Sequence, residues 1–383
     1  MFNILDFIFL NLAFTVTFTG VLIKYYEKYV PAFIKKGYLY GSFAYQGSEA
    51  NFLQVIEIPK SYYRHFYLFS SLFSVSSLFY MCMVYFLGLD VNKNVILGLR
   101  LILQDYESSA SVVTALVTMT LFTAQCIRRF YETYYLQVFA KSSKMNLSHY
   151  LAGIIHYFAC IVVVIGQAPL FSGEPRYTLK WVDAKATYLL VPSVLLFMWC
   201  WYEQYQANVI FANMRKDKKS GKVVTEDHGV PNGRLFEYVS SPHRMCEVIM
   251  YTILLILMPS KTFFCIYLWV LGNQVSLLFF CLSYSLLHQQ ISYLPIKVPS
   301  KSIHPFQRLA RTNRQTKIVC NVILVYVPCI HPYAFIKKRL FQYYKQTLQF
   351  YLFFQTAITA HDWYKKTFKT YPTTRRAIIP YIF

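Results

Sequence analysis

Charge is scarce in this chain, and acidic charge scarcer still: of 383 residues only 14% are charged, with 17 Asp and Glu against 38 Lys and Arg, while 56% are hydrophobic and 19% aromatic. So little charge excludes an ordinary soluble domain. No Gly-x-Gly-x-x-Gly follows a strand pattern anywhere, which excludes a soluble Rossmann domain as the holder of a dinucleotide. The nine cysteines (82, 126, 160, 200, 246, 265, 281, 320 and 329) are scattered, with no Cys-x-x-Cys and no Cys/His pairing, so neither a zinc site nor a disulfide framework is expected. No leader with a small-residue cleavage site precedes the first apolar block. That block is read as a retained signal anchor, with admission to the secretory membrane system as its consequence.

What the chain does have is apolar blocks at Ile4–Ile23, Phe66–Leu89, Ala110–Cys126, Leu151–Phe171, Tyr188–Trp201, Val248–Met258 and Phe263–Leu287. A helix needs about 20 apolar residues to cross the hydrocarbon, and only helices or closed barrels satisfy their backbone there. The expectation is an all-α membrane protein with about six to seven transmembrane helices. Asp6 inside the first block, and Pro259 with Lys261 between the last two, predict a kink or a paired helical hairpin. The +21 net charge sits mostly between blocks, in Lys24–Lys36, Arg128–Lys144, Arg215–Lys222 and Lys337–Arg339. This fits cytoplasm-facing loops and no nucleic acid, because no basic domain outside the membrane is large enough to fold alone. The sequon Asn146-Leu147-Ser148 stands beside Lys141 and Lys144, so it is expected to face the cytosol unused.

Chemistry is expected in the polar and aromatic stretches that interrupt this pattern. In Glu203–Lys216, Gln204 and Asn208 share a helical face and Arg215 follows, amides and a guanidinium suited to a phosphorylated ligand or merely to a snorkelling helix end. The following loop closes on His228-Gly229-Val230-Pro231-Asn232-Gly233, a turn that lets backbone approach a ligand. Next come Tyr238, Ser240, His243 and Glu247, the last two on one helical face near a start marked by Pro242; helix capping alone is the other reading. His361, Tyr364, Arg375 and Arg376 offer aromatic and cationic groups for nicotinamide and phosphate, or a cytosolic basic rim. Glu57 opens the run Glu57-Ile58-Pro59-Lys60-Ser61-Tyr62-Tyr63-Arg64-His65-Phe66-Tyr67. A carboxyl among aromatic rings at the mouth of a span is a candidate to hydrogen-bond a substrate oxygen, with plain juxtamembrane solvation as the alternative.

Leu235–Glu247 (LFEYVSSPHRMCE) and His361–Phe383 (HDWYKKTFKTYPTTRRAIIPYIF) resemble the steroid 5α-reductase family. The Glu57–Tyr67 run and Gln204-Tyr205 through Arg215-Lys216 resemble its polyprenol (polyprenal) reductase branch. The resemblance covers about 55 to 274 discontinuously, plus 356–383. It implies a 5α-reductase-type transmembrane catalytic domain over those residues, preceded by a signal-anchor helix and basic loop at 1–54. It implies NADPH held by Gln204, Asn208, Arg215, His228, Tyr238, His243, Glu247, His361, Arg129 and Arg375, with Glu57, Tyr364 and His361 catalytic. His243 would touch the cofactor and Glu247 orient it. Where steroid-reducing members carry a third-span Tyr, this chain has a place near Cys126, which argues against a steroid and leaves the proton donor open.

Hydride addition to a carbon–carbon double bond needs that bond polarised by a conjugated carbonyl. The expected reaction is therefore NADPH-dependent reduction of the α-isoprene double bond of polyprenol-type lipids, as the aldehyde polyprenal, in the endoplasmic reticulum membrane. It would feed dolichol and protein N-glycosylation. The expected partners are this long-chain isoprenoid and membrane lipids. A steroid enone or enoyl-CoA substrate is the alternative within the fold, and a transporter or chemoreceptor the alternative outside it.

One stretch breaks the pattern. Residues 275–355 carry ten Lys or Arg and no Asp or Glu, and without them the net charge falls by ten, from +21 to +11. They separate Gly272-Asn273-Gln274 from His361–Tyr364, which are near neighbours in the family pattern. Gln-Val-Ser is what the splice-donor sequence CAG-GTA-AGT encodes, and Phe-Phe-Gln fits a pyrimidine run ending in CAG. The segment is read as a retained intron, or else as a lineage-specific loop.

Overall fold

The computed structural model describes residues 3–31, 34, 57–104, 106, 108, 110–139, 144–216, 223, 225, 229–275, 361, 364–368, 371–372 and 374–376. The expected insertion, 275–355, lies outside them except for its first residue, as does His228. The described residues belong to one compact unit, Met1–Leu277 with Phe353–Phe383.

The unit is helical. Its elements in chain order are α1 (Ile4–Tyr26), β1 (Glu57–Pro59), α2 (Tyr63–Phe86), α3 (Lys93–Leu103), α4 (Val112–Tyr131), β2 (Lys144–Asn146), α5 (Leu147–Gly166), α6 (Ala184–Asn213), α7 (Pro242–Leu257) and α8 (Lys261–Val275). Each expected apolar block carries a helix. Among the described residues, Lys60–Phe86 and Leu147–Gly166 are long and apolar enough to cross a membrane, and Ile4–Gly20 and Lys261–Gly272 are shorter apolar helices. On α6 the large apolar side chains of Tyr188, Leu189, Val191 and Leu195 face outward, a surface suited to lipid rather than water.

Four elements went unforeseen. The helix α3 has only 11 residues and is capped by Asn92, whose Oδ1 accepts from Asn94 N at 2.8 Å. β1 and β2 pair antiparallel in the register Glu57↔Asn146, Ile58↔Met145, Pro59↔Lys144. A π-helical turn, Glu132–Leu136, continues α4 and aims the chain toward the end of α6. Asn146 of the sequon is buried and caps α5, its Oδ1 accepting from Ser148 N at 2.9 Å.

The helices α2 and α4 pack on each other with Ser70, Ser71, Ser74 and Ser77 of one and Thr114, Thr118 and Thr123 of the other buried, and Thr123 Oγ1 donates to Ser74 O at 3.4 Å. Ser70 Oγ and Thr118 Oγ1 donate to their own helix at Tyr67 O (3.0 Å) and Thr114 O (2.8 Å). Hydroxyls satisfied in this way allow close helix approach in an apolar setting. The helices α1 and α8 meet along Gly272, where an added Cβ would lie 3.3 Å from Thr17 Oγ1. At the other end of this pair Asp6 accepts from Lys261 Nζ at 2.8 Å. The two intramembrane charges singled out in the sequence are thus each other's partners, and Pro259 lies in the short turn of an α7–α8 hairpin.

Candidate active site

A cavity of about 500 Å³ opens where the N-terminal ends of α2 and α7 converge with the C-terminal ends of α4 and α6. Because successive long helices run in opposite directions, ends far apart in sequence share one end of the bundle. The first turns of α2 contribute Lys60, Tyr63 and Tyr67; the end of α4 and the π-turn contribute Arg129 and Thr133; α6 and its exit contribute Asn208, Phe211 and Arg215; α7 contributes His243, Arg244 and Glu247; and the tail contributes Tyr364. Four of these groups, Lys60, Arg129, Arg215 and Arg244, are cationic.

A buried polar layer holds the wall in place. Glu132 is fully buried and pairs with Arg128 at 3.3 Å and with Arg129, while its Oε2 accepts from Asn208 Nδ2 at 3.0 Å. Arg128 reaches the Trp201 carbonyl, Gln204 Oε1 and Gln125 Oε1, the last at 2.7 Å. Gln204 Nε2 then donates to His243 O at 2.9 Å, tying α6 to the first turn of α7. Burying this many charges is tolerable only because each is paired and hydrogen-bonded. His243 Nδ1 is buried without a hydrogen-bond partner among the described residues. Arg215 Nη1 donates to Val138 O at 2.8 Å, which fixes the α6 exit against the segment after the π-turn.

The tail docks on the Tyr238–Ser241 turn as a short parallel strand. Ser240 N donates to Arg376 O at 2.7 Å and Arg376 N to Tyr238 O at 2.8 Å. Ser240 Oγ lies 2.6 Å from both His361 Nδ1 and Tyr371 OH, and 2.9 Å from Arg376 O. With the Ser240 proton given to Arg376 O, Tyr371 and His361 Nδ1 donate to the hydroxyl. Burial, reinforced by Lys365, Arg375 and Arg376, lowers the His361 pKa to about 4. Arg375 is buried, donating to Pro231 O at 2.9 Å and Asn232 Oδ1 at 3.0 Å, and its guanidinium lies over Tyr371. Tyr371 stacks flat on Tyr364 at 5.6 Å, which presents Tyr364 to the cavity. Burial, with Tyr371 beside it, pushes the Tyr364 phenol up to about 12. Gly233, at φ +95°, turns the chain into this loop with a conformation that L side chains rarely adopt.

Of the residues selected from sequence, Asn208, Arg215, His243, Glu247, Arg129 and Tyr364 reach the cavity wall. The others stand outside the cavity lining. Glu57 lies on β1 and pairs with Lys144 at 3.5 Å; the turn after Pro59 sends Lys60, Tyr63 and Tyr67 to the cavity instead. Gln204 stands one layer behind, spent on Arg128 and His243. His361 and Arg375 brace the tail rather than line the cavity, and Tyr238 gives its carbonyl to Arg376 with its ring half exposed. Sequence reasoning missed Lys60, Tyr63, Tyr67 and Arg244. All sit inside runs already singled out, and the spacing of Arg244 and Glu247 on one helical face was the signal available.

The family described as 3-oxo-5-alpha-steroid 4-dehydrogenase matches residues 174–276 and 329–383, so its pattern breaks within the anomalous stretch. A Drosophila melanogaster protein named polyprenal reductase is 35% identical over 277 residues, 71% of this chain and 84% of the fly protein. The Caenorhabditis elegans polyprenal reductase is 26% identical over 356 residues, 90% of this chain and 85% of its own length. The human polyprenal reductase is 28% identical over 200 residues, 52% of this chain and 62% of the human protein.

Proposed function

The chain belongs to the 3-oxo-5-alpha-steroid 4-dehydrogenase family, the steroid 5α-reductases, and from that premise we propose that it reduces the α-isoprene double bond of polyprenal with NADPH. The product, dolichal, leads to dolichol and so to protein N-glycosylation. The setting is the endoplasmic reticulum membrane.

The observation that carries this reading is the cavity itself. Lys60, Arg129, Arg215 and Arg244 stand around about 500 Å³ of space with a buried His243 nitrogen that has no hydrogen-bond partner among the described residues. Cationic side chains gathered on one wall favour an anionic ligand, and a buried imidazole nitrogen suits a hydrogen-bonding one. A phosphorylated dinucleotide supplies both, so the residues present fit NADPH. Arg215, Arg244 and Lys60 would meet phosphate charge close to the positive N-terminal end of α7. His243, Asn208 and Glu247 would fix orientation. When bound, the nicotinamide supplies the hydride. The chain's own part is to hold the enal so that its carbonyl oxygen meets a hydrogen-bond donor as negative charge develops there, and to keep water from the reacting carbons. The isoprenoid chain remains in lipid, because extracting it into water would cost roughly 0.8 kcal/mol per buried methylene.

The test is incubation of the purified full chain with NADPH and, separately, polyprenal, polyprenol and a 3-oxo-4-ene steroid. Dolichal formed from the aldehyde, with the alcohol inert, is expected. Reduction of the steroid alone would move the assignment to the steroid branch. Failure of NADPH to raise the thermal midpoint would remove the cofactor reading.

A further inference from the structure

Resting on the enal reading above, we propose that Tyr67 is the group that donates to the substrate's carbonyl oxygen. Tyr67 lies on the cavity wall, its ring fixed between Phe66 at 4.5 Å and Tyr157 at 5.5 Å. Its hydroxyl is 3.0 Å from Arg129 Nη2. A guanidinium can only donate, so in this bond the phenol oxygen accepts and its own hydrogen is left over. Among the described residues that hydrogen has no acceptor. A buried donor fixed by one partner and unspent on its other side is the arrangement that a carbonyl ligand completes. Arg129 is itself anchored by Glu132, and its guanidinium lies 5.0 Å over the Tyr67 ring, so positive charge stands directly behind the donating oxygen.

The neighbouring candidates are worse placed. Cys126 is fully buried with its thiol turned to Ser70 and Ser74, the next turns of α2 after Tyr67. Tyr63 also lines the cavity, but no hydrogen bond among the described residues orients its hydroxyl. Tyr364 is carried by the tail, stacked on Tyr371.

In the step this implies, bound NADPH would supply a hydride to C3 of the enal. The C2–C3 π pair becomes the C1–C2 double bond, and the carbonyl π pair moves onto oxygen, which takes the Tyr67 proton. The enol returns to the aldehyde as C2 takes a proton from water and the enol O–H is lost. The Tyr67 oxygen, beside Arg129, regains its proton from water. The net change is enal, NADPH and one proton to saturated aldehyde and NADP⁺.

Tyr67→Phe keeps the ring under the Arg129 guanidinium but removes the hydroxyl and with it the Arg129 hydrogen bond. Its kcat on polyprenal is expected to fall about a hundredfold, within the range for loss of one positioned donor, with the NADPH Kd unchanged. A second readout needs no turnover: the infrared carbonyl stretch of ¹³C-labelled farnesal bound without cofactor should lie lower in the wild-type protein than in Tyr67→Phe. Wild-type kcat in the variant, an unmoved carbonyl band, or loss of the band shift in Tyr63→Phe or Tyr364→Phe instead, would overturn the assignment. A wild-type chain inactive on polyprenal refutes the enal reading, and the farnesal band still reports separately on Tyr67.

Discussion

A single guanidinium at the mouth of this cavity does two kinds of work according to whom it meets. Arg129 is consumed by Glu132 and Tyr67, whereas Arg215 ties its own helix to Val138 and Arg244 stands on the wall beside His243. Arg244→Ala should therefore weaken NADPH binding without disturbing the Glu132 layer. The expected loss in a fluorescence titration is about tenfold to a hundredfold, the value of one charge-assisted contact at roughly 1.5–3 kcal/mol. His361 makes a pH prediction with a definite sign. Its pKa in the docked tail is about 4, below the ordinary value of about 6.5, so the undocked form binds more protons between those limits. Docking is fully supported above about pH 6.5 and is lost as pH falls toward 4. Protease sensitivity of the tail should rise across that window, and His361→Gln should flatten the rise.

At the level of elements, the tail is held by a two-residue strand pairing, one serine hydroxyl and one buried arginine. Each is a small contribution, and together they place Tyr364 on the cavity wall. Ser240→Ala removes the hydroxyl shared by His361, Tyr371 and Arg376 O and leaves only the direct His361–Tyr371 contact at 3.1 Å and the backbone bond to Arg376 O, at a cost of about 1 kcal/mol. The tail of that variant should be clipped several-fold faster by trypsin, and its kcat should fall while the α1–α8 pair stays intact. Asp6→Ala is the complementary case. It strips Lys261 of its partner at the far side of the molecule, so it should lower the melting temperature in detergent while leaving the NADPH Kd unchanged.

For the whole molecule, the docked tail and the α7–α8 hairpin belong to one compact unit although 275–355 intervene in the chain. We propose that those residues are dispensable. A chain joining Gln274 directly to Thr356 should express, bind NADPH and reduce polyprenal at least as well as the full sequence. Sequencing the transcript across this stretch tells a retained intron from a translated loop, and an inactive excised chain would show the segment to be needed.

Much of the site was legible in the sequence, because the spacing of Asn208 and Arg215, and of His243 and Glu247, projects onto helical faces by local geometry alone. Glu57 stands outside the cavity lining for an equally local reason: Pro59 ends a strand and Lys60 starts a 3₁₀ turn, so neighbours in one motif point to different places. Tyr67 could not be singled out. Its meaning comes from Arg129 on another helix, 62 residues away.

The sequence by itself determined that this chain is built of helices and where they run, since apolar blocks of such length satisfy their backbone only within themselves. Only the tertiary structure decided which helix ends meet, that Asp6 answers Lys261, and that Ser240 holds His361 from 121 positions away. Those pairings depend on close packing between helices and on the desolvation of charges that must find each other once buried, and neither is written in local sequence.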